Sequence, residues 1–158
     1  EVEALWIEIA QSFFPMDLIV GCVDPELGNP DSPNRYIEDL ERVSHNQLKG
    51  IYYAGLDLGK QVDYSCLAVV ERTNAGKLRL IYKHQFPLGT PYPDVIGHVA
   101  RANQIFKFQK LVVDKTGIGD AVVDEMQYIN IPNVEGVFLT EPVKEDILNH
   151  LKFVMEKK

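Results

Sequence analysis

From Ile51 onward the chain sorts into short apolar runs and periodic stretches. Ile51 to Leu58 is apolar and aromatic and carries one acid, Asp57, near its end. That pattern predicts a buried strand with a carboxylate at its tip. Tyr64 to Glu71 is a second run of β-formers, followed by the turn sequence Asn74-Ala75-Gly76. Leu78 to Phe86 then alternates, with Leu78, Leu80 and Tyr82 set against Arg79 and Lys83, as a third, antiparallel strand would. Pro91 and Pro93 open a helix in which Val95, Val99, Ala102 and Phe106 share one face. Lys110 to Asp114 is a short strand that again ends on an acid. Thr116 is placed to cap the next helix, with Ile118, Val122 and Ile129 on one side. Val134 to Leu139 predicts a fifth strand. Val143 to Met155 predicts a closing helix with Ile147, Leu151 and Val154 turned inward.

The resulting order, βββαβαβα, is an antiparallel meander followed by crossovers that add strands parallel to the first. It predicts an α/β fold with a mixed five-stranded sheet flanked by helices. Strands one and four then lie side by side at the centre, and Asp57 and Asp114 stand next to one another.

The front of the chain is patterned differently. Ala4 to Phe14 is apolar-rich and holds Trp6, Phe13 and Phe14, and Pro15 should interrupt or cap any helix there. Asp24 to Pro33 contains three prolines and a glycine and predicts a loop. Tyr36 to Val43 has the length of a short helix, and Ser44 to Gly50 is polar. A boundary near residue 50 divides a partly helical connector, 1–49, from the main domain, 50–158. A chain opening on Glu1 is expected to be a piece of something longer.

Charge sharpens that division. Residues 1–49 carry ten acids and three bases, the whole of the net charge of −7, whereas residues 50–158 carry thirteen of each. The acidic pI thus belongs to the connector and says little about whether the main domain meets nucleic acid. Cys22 and Cys66 form no disulfide framework and no zinc spacing, and Cys66 reads as a core filler. No apolar run approaches the ~20 residues of a membrane span, and no signal-peptide pattern opens the chain. A cytoplasmic location is the expectation.

Two carboxylates at the ends of neighbouring strands repel, and a divalent cation converts that repulsion into a binding site. Hard oxygen ligands suit Mg²⁺, and paired metals can activate water for phosphodiester cleavage. The plainer alternative is that Asp57 starts a turn and Asp114 precedes a capped helix.

The blocks Gly55-Leu56-Asp57-Leu58-Gly59-Lys60-Gln61-Val62-Asp63-Tyr64-Ser65, Phe86-Pro87-Leu88-Gly89-Thr90-Pro91-Tyr92 and Val112-Val113-Asp114-Lys115-Thr116-Gly117-Ile118-Gly119-Asp120 resemble, in that order and separation, the nuclease domain of viral large terminase subunits. The resemblance covers about residues 50–158 and implies an RNase H-like fold. It implies cleavage of double-stranded DNA during genome packaging, with acidic residues holding Mg²⁺ or Mn²⁺. Asp57 and Asp114 match the family's first-strand and fourth-strand acids. It further implies work beside an ATPase motor domain, a portal and a small terminase subunit in the host cytoplasm. This chain carries no Gly-x-x-x-x-Gly-Lys-Ser/Thr loop, so no ATP site is expected in it. The family's third metal-binding acid would fall beyond Lys158, which makes a catalytically incomplete fragment, a folded DNA- or partner-binding module, the rival expectation. An actin- or sugar-kinase-type nucleotide fold shares Asp57-Leu58-Gly59 but needs a second glycine-rich hairpin.

Asp63, in the turn after strand one, either approaches the metals or caps its turn. Asp120 either joins the site or lies at a helix start, where an acid suits the helix dipole. Lys60 and Lys115 follow the two candidate acids and are candidate phosphate contacts. Glu145 and Asp146 read as a solvated helix start. His45, His84, His98 and His150 receive no role, with His98 on the polar side of its helix.

Overall fold

The structure, a computed structural model, describes residues 13–27, 36–43, 48–59, 62–117 and 120–157. They fall into two compact units. Glu26–Thr140 is the larger; the smaller is drawn from Glu1–Pro25 and Glu141–Lys158.

The larger unit is built on strands β1 (Ile51–Asp57), β2 (Cys66–Arg72), β3 (Leu78–Gln85), β4 (Lys110–Asp114) and β5 (Val134–Val137). They form one sheet in the order β3-β2-β1-β4-β5. The meander β1-β2-β3 is antiparallel, while β4 and β5 continue parallel to β1. This is the expected mixed sheet. Alternation along β1 buries Tyr52, Ala54 and Leu56, which pair across to Glu71, Val69 and Leu67 of β2.

Helix α2 (Tyr92–Phe106) starts at Pro91, with Pro93 in its first turn, where a missing N–H does no harm. It buries Val95, Ile96, Val99, Ala102 and Phe106, the predicted face with one addition. The Phe106 ring lies 5.5 Å from that of Tyr52 and 5.9 Å from that of Tyr82. Fully burying such a side chain contributes roughly 1.5–3 kcal/mol. Helix α3 (Ala121–Tyr128) buries Val122, Val123 and Met126. Ile129, expected on that face, is at the C-cap and 42% exposed.

The alternation read along the third strand breaks in the structure. The β2–β3 register shifts between Val69 and Val70, so that Val70 pairs with Leu80 and Val69 with Tyr82, leaving Ile81 as an extra residue. Ile81 and Tyr82 are therefore both buried, while Leu78 and Leu80 are exposed. The predicted helix over Tyr36 to Val43 is also corrected. Only a 3-10 turn, Leu40–Arg42, forms, because the Ile37 N–H donates to the Ile81 carbonyl at the bulge (2.8 Å). Tyr36 Oη also donates to the Lys83 carbonyl at 3.2 Å, a second tie of this segment to β3.

His98 was expected on a polar helix face, yet it is half-buried. Its ring stacks on that of His84 at 4.2 Å, with the Phe86 ring edge-on at 5.2 Å. The Tyr82 hydroxyl lies 2.8 Å from His98 Nε2. Burial holds both imidazoles below the ordinary value of 6.5, and at His98 the neighbouring His84 adds to the lowering. Since the unfolded chain binds these protons more readily, the pair's contribution is intact above about pH 6.5 and is lost as pH falls below it. Thermal melts should show this acid-side loss, and His98→Gln should reduce its steepness. An unchanged slope in that variant would mean that other groups set the pH dependence.

The smaller unit contains α1 (Met16–Gly21), with Pro15 at its N-cap, and α4 (Glu141–Glu156). Cys22 Sγ lies 3.6 Å from the Met155 carbonyl, and the Lys152 ammonium 5.2 Å over the Phe13 ring. No residue of α4 is buried, and Ile147, Leu151 and Val154 are 47%, 48% and 42% exposed. Their shared face was read correctly as helical but not as covered. Trp6 lies outside the described residues. No described helix is long and apolar enough to cross a membrane.

Candidate metal centre

Because β4 runs parallel to β1, both strands end at the same edge of the sheet. Crevices outside the C-terminal ends of parallel strands are where open α/β sheets commonly bind ligands. Asp57 is the last residue of β1 and Asp114 the last of β4, and the two are direct register partners. Neighbouring strands lie ~4.8 Å apart, so the carboxylates leave the sheet side by side.

Their environments differ. Asp114 Oδ1 accepts the Thr116 N–H at 2.8 Å, a local turn that fixes the side chain and leaves Oδ2 without a hydrogen bond among the described residues. Asp57 accepts no hydrogen bond from any described residue. Its carboxyl is raised above the ordinary 3.8, first by burial at the strand end, then by the charges of Asp114 and Asp63. Raising of this kind marks a carboxylate short of positive charge. Oxygen donors that repel one another on adjacent strands fit a hard divalent cation.

An open cleft of about 530 Å³ borders Asp57, lined also by Asp63, Tyr64, Cys66, Gln85 and Thr116 among others, and it reaches the Asp114 loop at Thr116. Asp57 pairs with Cys66, and Cys66 with Gln85, so Asp114, Asp57, Cys66 and Gln85 make one row across the sheet. Cys66, expected in the core, instead lines this cleft as a free thiol. The register of the meander was the signal that could have found Cys66 and Gln85. Among the described residues, no group of three or more His, Cys, Asp or Glu side chains is gathered tightly enough to hold a metal.

The other candidates lie as follows. Asp63 lines the cleft with Asp57. Asp120 stands at the N-cap of α3 without bonding the helix, and its Oδ1 pairs with Lys115 Nζ at 2.5 Å. The Lys115 side chain is 19% exposed, and its ammonium lies 4.4 Å over the Phe138 ring. Lys115 and Asp120 therefore brace the loop after β4. Thr116 was expected to cap α3, but its hydroxyl accepts the Leu139 N–H at 2.9 Å, tying that loop to the segment after β5. Gly117 takes φ +81°, a left-handed conformation that suits glycine. Lys60 and Gly119 lie outside the described residues.

No protein-family model matches the chain. The large terminase subunits of Thermus phage G20c and Thermus virus P23-45 are each 26% identical to it over 107 residues, 68% of this chain. The match spans 21% of each relative's length. A crystal structure of the large terminase nuclease from phage G20c superposes with a TM-score of 0.57 at 26% identity, covering 68% of this chain and 55% of that one. Structures of the same nuclease with bound zinc and with bound cobalt give TM-scores of 0.56 at 27% identity. They cover 68% of this chain, and 60% and 55% of the respective nuclease chains. In sequence and in fold the chain resembles the nuclease domain of phage large terminases.

Proposed function

We propose that this chain is the nuclease part of a DNA-packaging terminase, hydrolysing phosphodiester bonds of double-stranded DNA with a divalent metal held by Asp57 and Asp114. The observation that carries this reading is the register pairing of the two acids at the ends of parallel strands. Similarity to a terminase nuclease whose structures hold zinc or cobalt supports a divalent-metal site of this kind. Mg²⁺ or Mn²⁺ is the metal we assign, because the donor set is oxygen. When bound, such a metal supplies Lewis-acid polarisation at the scissile phosphate.

The protein's own part is to hold the donors. Asp57 is presented by β1 with its carboxylate free of competing hydrogen bonds among the described residues. Asp114 is oriented through the Thr116 N–H and offers its remaining oxygen. Asp63 is assigned as a further carboxylate facing the same cleft. Asp120 is assigned to the loop brace with Lys115, whose ammonium it pairs with. Lys60 is kept as a candidate phosphate contact. The ATPase motor, portal and small subunit are the partners this reading implies.

The test is nicking of supercoiled plasmid by the purified chain with Mn²⁺. Metal-dependent nicking should be abolished by chelation and by Asp114→Asn, while Asp114→Asn keeps its fold because the amide oxygen still accepts the Thr116 N–H. Nicking that persists in Asp114→Asn would remove that residue from the reaction. Among the described residues no third ligand is gathered at the pair, and this favours one second reading, a centre that binds metal and DNA but does not cut. Mn²⁺ binding without nicking would select it.

A further inference from the structure

Neither the Asp57 nor the Asp63 carboxylate accepts a hydrogen bond from a described residue, so the backbone that carries them must set where they stand. That backbone is tied at an unusual place. Ser65, just before β2, is only 6% exposed although polar. Its Oγ accepts the Gly59 N–H at 3.0 Å, which closes the turn between β1 and β2 across its base. Its carbonyl accepts the Phe86 N–H at 2.9 Å, which joins the same residue to the end of β3. The Tyr92 hydroxyl, from the first turn of α2, donates to the Gly59 carbonyl at 3.3 Å. Gly59 is thus held from both sides, through its N–H and its C=O.

The closure leaves no slack. A Cβ at Gly59 would run into the Asp63 carbonyl and the Tyr64 backbone, so the two arms of the turn are in direct contact. The residues closing the turn flank Asp63 on one side and follow Asp57 by two on the other. Resting on the metal-centre reading above, we propose that Ser65 is a positioning residue. With Tyr92 it fixes the turn so that Asp63 and Asp57 face one cleft. A hydroxyl is suited to this work, since it accepts the backbone N–H within the space that a buried small side chain allows. Groups that orient metal ligands without touching the metal commonly carry 10–100-fold of its affinity.

The test is Mn²⁺ affinity, read from the free-ion EPR signal, for the wild type, Ser65→Ala, Ser65→Thr, Tyr92→Phe and Asp63→Asn. Ser65→Ala should bind Mn²⁺ roughly 10-fold more weakly while remaining folded by circular dichroism. Ser65→Thr, which keeps the hydroxyl, should restore most of that affinity, and Tyr92→Phe should show a smaller loss. In an Asp63→Asn background Ser65→Ala should cost less affinity than it does in the wild type, because part of its effect runs through Asp63. A purely structural serine would lower the melting temperature but leave the affinity of the folded chain unchanged. A folded Ser65→Ala with wild-type affinity would overturn the proposal. If Ser65→Ala does not fold, Tyr92→Phe decides: weaker binding supports the proposal and unchanged binding overturns it. Absence of Mn²⁺ binding by the wild type is a different result, and it removes the metal centre and this role together.

Discussion

Replacing Arg79 with Met should cost about 3–5 kcal/mol of folding stability, the usual penalty for stranding one member of a buried ion pair. Glu71 is 5% exposed on β2, and the Arg79 side chain is 13% exposed beside it on β3. Arg79 donates from Nε at 3.0 Å and from Nη2 at 2.5 Å to Glu71 Oε2. Tyr52 Oη donates to Oε1 at 3.2 Å and itself accepts the Gly50 N–H. Without the guanidinium, the carboxylate keeps only the phenol, in a setting that cannot hydrate it. A domain typically holds 5–15 kcal/mol in total, so this is a large fraction.

The double change Glu71→Leu with Arg79→Met should recover much of the loss, because no charge then remains buried. Urea unfolding of the three variants separates these outcomes. A loss under about 1 kcal/mol in Arg79→Met would mean that water reaches Glu71, as it does in exposed pairs. The cluster sits at the end of the sheet opposite Asp57, so the stability test and the metal test do not interfere.

The second large effect is at the site itself. Asp57→Asn removes one of two paired charges while preserving shape, and it should abolish metal binding rather than weaken it slightly. Without Asp57 there remain Asp114, with a single oxygen beyond its own turn, and Asp63 across the cleft, and hard cations bound by so few carboxylate oxygens are held weakly. The same substitution relieves the repulsion that raises the Asp57 carboxyl, so the apo protein should not become less stable. Loss of binding together with unchanged or higher apo stability marks a functional carboxylate, because a structural one would lose both.

The pairing of Asp57 with Asp114 was legible in the sequence for a definite reason. Each acid terminates an apolar run, and a helix between antiparallel and parallel strands forces the fourth strand alongside the first. The buried face of α2 was legible because helical periodicity needs no knowledge of the partner. The bulge at Ile81 was not, since one extra residue in a strand leaves no mark on composition while it inverts the faces of Leu78, Leu80 and Ile81. Cys66 looked like core because its neighbours are apolar, yet strand alternation turns it to the cleft beside Asp57. The stacking of His84 on His98 joins β3 to α2, and the Ser65–Gly59–Tyr92 tie joins three segments. Contacts that depend on packed elements are invisible to local pattern. The exposed face of α4 shows the same limit, because amphipathicity reports a face and not what lies against it.

A calorimetric titration of the purified chain with Mn²⁺, run in parallel on Asp57→Asn, tests the paired-carboxylate centre most directly. Saturable binding in the wild type that disappears in Asp57→Asn is the predicted result. Equal binding in both would place the metal elsewhere, and no binding in either would mean that Asp57 and Asp114 do not assemble a metal centre in this chain.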